Sequence, residues 1–338
     1  MKIAHIADIH LGYKSLPYIC TDAFMLKINK RENDIYESFR GVICEILLHN
    51  PDVLVIAGDL FDSSHPSNLA IKVAVSVLKD IEIPILLIPG NHDKVVDGDI
   101  SPCTLLSYLC PTISCVESFA DFISLDDYTF YLMPTASLNK SDQLPLFNRK
   151  FHILIAHAPI GGPEEYRFAS SFLDTSFTDQ FIVCLFGDLH RYYKKGNILY
   201  PGSLERFSFN EVNNSGGYII IDLDKGNFKS TFYPWEHSKK MVDIEVNSQE
   251  ELEKYKDKIS GAIVRITSSV EIDTSLYKDL AYHISFRLRK ESQLDLTQIT
   301  GVTLQEMWIN YLKDTNKEHL LEVSLPFWKE AITNKSGG

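Results

Sequence analysis

The chain has 338 residues, of which 45% are hydrophobic, 11% aromatic and 23% charged; this excludes a disordered, collagenous or disulfide-stapled protein and leaves room for one large domain and a smaller one. No apolar run approaches a membrane span, and residues 1–5 lead straight into a strand-like segment rather than a leader, so a cytoplasmic protein with no membrane association is expected. The formal net charge is −12, and a surface of that sign holds polyanions only weakly.

The acidity is uneven. Residues 237–338 carry 14 Lys/Arg against 16 Asp/Glu, so nearly all the excess lies in residues 1–236, where a pair of bound divalent cations would offset part of it. The six cysteines (Cys20, Cys44, Cys103, Cys110, Cys115, Cys184) have no C-x-x-C spacing and mostly sit in apolar stretches, which predicts reduced, mostly buried thiols.

In chain order, residues 3–7 form a short apolar run of buried-strand character, followed by helical periodicity over 34–48. A second strand-like run covers 53–57, a helix 68–80, and a third strand 85–88. The apolar segment 102–109 reads as core packing. Residues 120–134 read as a hairpin turning at Asp126-Asp127, and strand-like runs follow at 153–156 and 182–186. After Gly216-Gly217, the runs 218–223 and 227–233 flank the turn Asp224-Lys225-Gly226, a second hairpin. The fold class is therefore α/β (mixed α+β), with mixed rather than purely parallel sheets. A boundary is predicted at 234–240. Beyond it come a strand 242–246, a helix 249–256, a strand 262–266, a helix 275–280 and a strand 284–289. Helices follow at about 303–313 and 318–332, then a disordered tail, 334–338. Two domains, 1–236 and 240–333, are expected.

Five strand-like runs end at once in residues that ligate metals. The first runs into Asp8-Ile9-His10, the second into Gly58-Asp59-Leu60-Phe61-Asp62, the third into Gly90-Asn91-His92-Asp93, the fourth into His157, and the fifth into Gly187-Asp188-Leu189-His190. Ligands gather at the carboxyl ends of strands in open α/β sheets. Carboxylate, imidazole and amide donors together suit a borderline or hard divalent ion, and the absence of cysteine from the motifs argues against structural zinc. Two such ions about 3.5–4 Å apart can hold a phosphate and activate water for in-line attack.

This ordered set resembles the calcineurin-like metallophosphoesterase superfamily. Residues 7–13 (Ala-Asp-Ile-His-Leu-Gly-Tyr) and 200–206 (Tyr-Pro-Gly-Ser-Leu-Glu-Arg) are similar to its SbcD-type branch of DNA double-strand-break repair nucleases. The resemblance implies a double-sheet sandwich flanked by helices, with a smaller α/β cap domain that binds DNA. It implies two divalent ions, Mn2+ or else Mg2+. Asp8, His10 and His190 would hold the first, Asn91, His157 and Asp188 the second, and Asp59 would bridge both. A metal-held hydroxide would attack, His92 would protonate the departing 3′-oxygen or orient the phosphate, and Asp93 would hydrogen-bond His92. Tyr13, Ser203 and Arg206 would border the substrate groove. Ile71, Leu105 and Leu109 would form a homodimer contact, and an SMC-like ABC ATPase of the SbcC type would be the partner. The activity implied is exonucleolytic on double-stranded ends and endonucleolytic on single strands. Two other readings stay open: a phosphoesterase for small phosphodiesters or phosphoproteins, and a non-catalytic dimeric DNA-end-binding scaffold. The departure from the family pattern is Asp188, where the family carries histidine; it would shift the second ion's preference toward oxygen-loving metals. The histidines outside the motifs (His5, His49, His65, His152, His237, His283, His319) are expected to be surface or satisfied core groups.

Overall fold

A computed structural model of the protein describes residues 1–21, 27–95, 99–117, 120–138, 152–160, 173, 175–289, 309, 312–313 and 320. Contacts divide the chain into two compact units, 1–288 and 289–338. The predicted helices at 303–313 and 318–332 and the tail lie almost wholly outside the described residues; Leu312 in the second unit is buried.

The first unit's strands begin with β1 (Lys2–Ile6), β2 (Ile19–Thr21), β3 (Lys27–Asn29), β4 (Val53–Ala57), β5 (Ile85–Ile88), β6 (Ile113–Cys115), β7 (Asp121–Leu125) and β8 (Tyr128–Met133). They continue with β9 (His152–His157), β10 (Val183–Gly187), β11 (Tyr193–Lys195), β12 (Ile198–Tyr200), β13 (Gly217–Asp224), β14 (Asn227–Pro234), β15 (Met241–Glu245), β16 (Ile263–Ser268) and β17 (His283–Leu288). One sheet has the order β14-β13-β1-β4-β5-β6 and the second β11-β12-β10-β9-β8-β7. In each, the strands that end in motif residues run parallel: β1, β4 and β5 in the first, β9 and β10 in the second. Both predicted hairpins form, β7–β8 and β13–β14. The second turns at Lys225-Gly226, both with positive φ (47° and 85°), the backbone that matches the twist of a tight hairpin.

Strand alternation explains the layers. In β1, Ala4 and Ile6 face one way, into a core shared with α1 (Lys30–Leu48), α2 (Asn68–Leu78) and α3 (Pro102–Leu109). Ile3 and Ala7 face the other way, and meet Val53, Val55, Ile153, Ile155, Val183 and Leu185 between the two sheets. A period of two thus places every alternate residue in one core or the other. The outer face of the second sheet has its own cluster, with Tyr131, Leu154, Phe186 and Tyr200. The predicted sandwich flanked by helices is the observed architecture.

The helices start at capping residues. Asn29 accepts from Arg31 N and Glu32 N, Ser67 from Ala70 N, and Ser101 from Thr104 N with Pro102 in the first turn. The Asn29 cap explains why α1 begins at Lys30, earlier than apolar periodicity alone predicts. After β14 the third sheet, β15-β16-β17, is wholly parallel and packs on its own cluster of Ile244, Leu252, Ile259, Val264 and Tyr277. Here two expectations are corrected. The helix expected at 249–256 breaks at Tyr255 into Gln249–Glu253 and Lys256–Ile259, and the one expected at 275–280 shrinks to a 3-10 turn at Ser275–Tyr277. That turn has no side-chain cap, and so short a segment does not offset the nucleation cost of an α-helix. Among the described residues no helix is long and apolar enough to cross a membrane.

Candidate metal centre

The loops after β1 and β4 prolong their sheet. Asp8 N donates to Gly58 O, Ile9 N and His10 N to Asp59 O, Leu11 N to Leu60 O, and Asp62 N to Leu11 O, at 2.9–3.2 Å. The two motifs thus form one paired ribbon. The second sheet is tied to it: His157 Nδ1 lies 2.8 Å from Ala57 O, and Asp188 N donates to the carboxylate of Asp8 (3.0 and 3.2 Å). Asp8, His10, Asp59 and Asp188 all carry positive φ, at 55°, 54°, 49° and 95°. Such backbone costs on the order of 1–2 kcal/mol per non-glycine residue, a strain that persists where surrounding structure over-determines a site. Gly90 is required by close approach. A Cβ there would collide with the carboxylate and backbone nitrogen of Asp59.

These turns bring all seven predicted ligands to one place. Donor atoms of Asp8, His10 and His190 lie within 4.8 Å of one another, as do those of Asp8, Asp59 and His157. His10 Nε2 and His190 Nε2 face each other at 3.3 Å. Around His157 Nε2 stand Asn91 Oδ1 at 3.0 Å, Asp59 Oδ2 at 3.4 Å and Asp188 Oδ1 at 3.8 Å. Asp59 is central: the same Oδ2 lies 3.7 Å from His10 Nε2, so one carboxylate faces both groups of donors. Asp188 Oδ1 thus stands beside this second group of donors.

The electrostatics are those of a cation site. Burial disfavours charge on His157, but Asp59, Asp8 and Asp188 outweigh it and hold its pKa well above the usual 6.5. Burial likewise pushes Asp59 up, yet His157 and His10 bring its pKa far below the ordinary carboxylate value. Asp188 is raised, first by burial and then by Asp8 and Asp59, against the pull of His157. Carboxylates crowded together in a buried place fit divalent ions, and the mixed oxygen and imidazole donors fit that class.

His92 lies at the mouth. Its side chain is 44% exposed, its backbone N donates to Asp59 Oδ1 (2.9 Å), and its Nδ1 sits 3.1 Å from Asp62 O. A bond to a carbonyl needs the proton on Nδ1, which leaves Nε2 for a ligand. The structure also groups His92 with His10 and Asp59 as possible metal donors, a proximity that the sequence motif alone does not reveal.

Other sequence expectations are corrected by geometry. Asp93 does not bond His92. It is fully buried, and its carboxylate accepts from Gly90 N (2.5 Å), Phe61 N (3.2 Å) and the Cys103 thiol (3.1 Å), which fixes the two loops to each other and to α3. Burial and nearby Asp59 raise its pKa to about 6. Tyr13, Ser203 and Arg206 each make internal hydrogen bonds, and Ser203 and Arg206 line a small cleft beside His190. Tyr13 Oη donates to Phe207 O (2.9 Å), Ser203 Oγ to Glu205 O (2.8 Å), and Arg206 to Ser238 Oγ and Asn214 O (2.9 and 2.8 Å). These bonds make residues 200–206 a strut, with Arg206 Nε buried and without a hydrogen-bond partner. Glu205 and Arg31 form a buried pair at 3.2 Å within it. His5 is also not the satisfied group expected: it is buried, and neither ring nitrogen makes a hydrogen bond of good geometry.

Three residues at the site were given no role by the motif reading. Asp62 places Oδ1 3.2 Å from His10 Nδ1; its place at the end of Gly58–Asp62 was the available signal. Phe207 packs edge-on against His10 and His190, with ring centroids 4.7 and 5.4 Å away. Glu211 places Oε1 3.3 Å from His190 Nδ1.

Sandwich, strand-end loops and donor cluster together define a metal-binding phosphoesterase, and the chain belongs to the calcineurin-like phosphoesterase family, whose model matches residues 1–192. Among curated proteins, it is similar to the SbcD subunit of the nuclease SbcCD from Staphylococcus epidermidis, with 27% identity over 286 residues, 72% of this chain and 72% of that protein. It is 25% identical over 293 residues to the same nuclease subunit from Staphylococcus saprophyticus, covering 75% of this chain and 74% of that one. With DNA double-strand break repair protein Mre11 of Methanococcus maripaludis it shares 43% identity over 96 residues, 28% of this chain and 23% of that protein.

Proposed function

We propose that this chain is a metal-dependent DNA-repair nuclease that hydrolyses phosphodiester bonds, acting on double-stranded ends as an exonuclease and on single strands as an endonuclease. The observation that carries the reading is the position of Asp59, whose Oδ2 faces His10 Nε2 at 3.7 Å and His157 Nε2 at 3.4 Å. Asp8, His10 and His190 would hold one divalent ion, Asn91, His157 and Asp188 the other, and Asp59 both. Three imidazoles among the donors favour Mn2+ over Mg2+. When bound, the two ions would hold the phosphate and activate water.

The protein's own groups supply the rest. Asp62 O orients His92 through Nδ1–H, and in the imidazolium form the ring would give its Nε2 proton to the departing 3′-oxygen. Phe207 walls the two first-ion histidines on one side and limits water there. Residues 240–333 are proposed as the cap over the DNA. The relatives' names motivate an SbcC-type ATPase partner. For a homodimer, the supporting feature is α3: Leu109 and Tyr108 are 48% and 76% exposed, and an apolar face left in solvent is a site for a second copy. Leu105 lies on that helix, whereas Ile71 packs against the core on α2.

Replacing His92 by glutamine is expected to slow manganese-dependent loss of linear duplex DNA by roughly 10²–10⁴-fold, the range for a lost general acid, with Mn(II) binding kept within a few-fold. Full cleavage by the variant would remove His92 from the reaction. Wild-type protein that digests a small phosphodiester but leaves DNA intact would instead support the small-substrate reading.

A further inference from the structure

The histidines of the centre are not all held from behind by the same kind of group. His157 Nδ1 meets a backbone carbonyl, Ala57 O, at 2.8 Å. His190 Nδ1 meets the Glu211 carboxylate at 3.3 Å, whereas His10 Nδ1 lies 3.2 Å from Asp62 Oδ1 without the geometry of a hydrogen bond. A carboxylate behind an imidazole fixes its tautomer and orientation and strengthens it as a donor more than a neutral carbonyl does. Glu211 comes from outside every ligand motif. It lies in the 3-10 turn Phe209–Glu211, where its other oxygen accepts from Phe207 N at 2.7 Å and Ser208 Oγ approaches Oε1 at 3.3 Å. The turn is held in turn by the third sheet. The Arg265 guanidinium of β16 lies over the Phe209 ring, 4.5 Å from its centroid, and is itself fixed by Asp243 of β15 through Nε at 2.9 Å.

We infer that Glu211 is a positioning residue that fixes His190 for the first ion, and that the third sheet braces it through Arg265 and Phe209. The two ion positions are then unequal. The first has an imidazole hydrogen-bonded to a carboxylate, and the second has one carbonyl-backed imidazole among oxygen donors. The inference rests on the two-ion reading above, which the same experiment tests separately.

Calorimetric titration of the metal-free, full-length protein with Mn(II), wild type beside Glu211→Ala and Glu211→Gln, decides it, with metal-free melting curves of all three. Wild type is expected to take up two ions of different affinity. Glu211→Ala should weaken the tighter one by about 10–100-fold, the usual cost of losing such an outer partner. Glu211→Gln, which keeps an acceptor for Nδ1–H but not the charge, should fall between them with unchanged melting. Arg265→Ala should weaken the same site by a smaller factor. Wild-type affinity at both sites in the folded Glu211 variants overturns the inference. So does equal weakening of both sites together with a fallen metal-free melting temperature, which would mark the turn as merely structural. A wild-type protein that binds no ions overturns the two-ion reading and this inference with it.

Discussion

Asp59→Asn is expected to abolish metal-dependent DNA cleavage, with a loss of roughly a thousandfold or more, on the scale seen when one member of a catalytic unit is removed. The substitution keeps shape and size. It leaves an oxygen for His92 N, which Asp59 Oδ1 accepts at 2.9 Å, so the loop can hold its course. What it removes is the negative charge between His10 and His157, and with it the carboxylate placed against both donor groups. Ion uptake should fall from two per chain to one or fewer, measured by calorimetry on the same preparation. Cleavage above about a tenth of the wild-type rate, or undiminished uptake of two ions, would remove Asp59 from the bridging position.

A second large effect concerns stability rather than catalysis. His5 sits between the sheets without a good hydrogen bond, and burial lowers its pKa from 6.5 to about 3, offset only in part by the backbone of Phe186. As pH falls through 6.5 the unfolded chain takes up a proton that the folded chain refuses until about 3. The unfolded state therefore binds more protons throughout that window, and stability declines as the solution is acidified. Each pH unit costs about 1.4 kcal/mol, so the decline from this one group reaches roughly 5 kcal/mol by pH 3. Denaturant midpoints of metal-free protein at a series of pH values should show this slope, and His5→Leu should flatten it. Parallel slopes for the two proteins would mean that His5 finds a proton-accepting neighbour in the fold.

The fold was legible where the pattern was local. The runs at 53–57 and 85–88 coincide with β4 and β5, because a continuous apolar stretch between turn residues leaves few alternatives to a buried strand. The centre was legible for the same reason: each ligand follows a strand directly, so its place in space is set by its place in the strand. Partners that depend on which loop lies against which were not readable. Asp93 follows His92 in sequence, yet its carboxylate turns inward to Gly90 N, Phe61 N and Cys103. Glu211 stands 21 residues from His190, with nothing in its own segment to show which ring it meets. Ser203 and Arg206 fall in a distinctive motif, and composition cannot show the bonds to Glu205 O, Ser238 and Asn214 that tie them into the fold. In the third sheet, weak periodicity left 275–280 looking like a helix that its length could not sustain.

The ribbon joining Asp8–Leu11 to Gly58–Asp62 has an entropic consequence. Most loops that receive a metal must be immobilised when it arrives, at about 1–2 kcal/mol of backbone entropy per residue. Here the amides of Ile9, His10, Leu11 and Asp62 are already engaged across two segments. Their hydrogens should exchange with deuterium at rates typical of sheet interior, with or without manganese. Arrival of the ions would then draw in side chains alone, and the ordering cost would already have been met during folding.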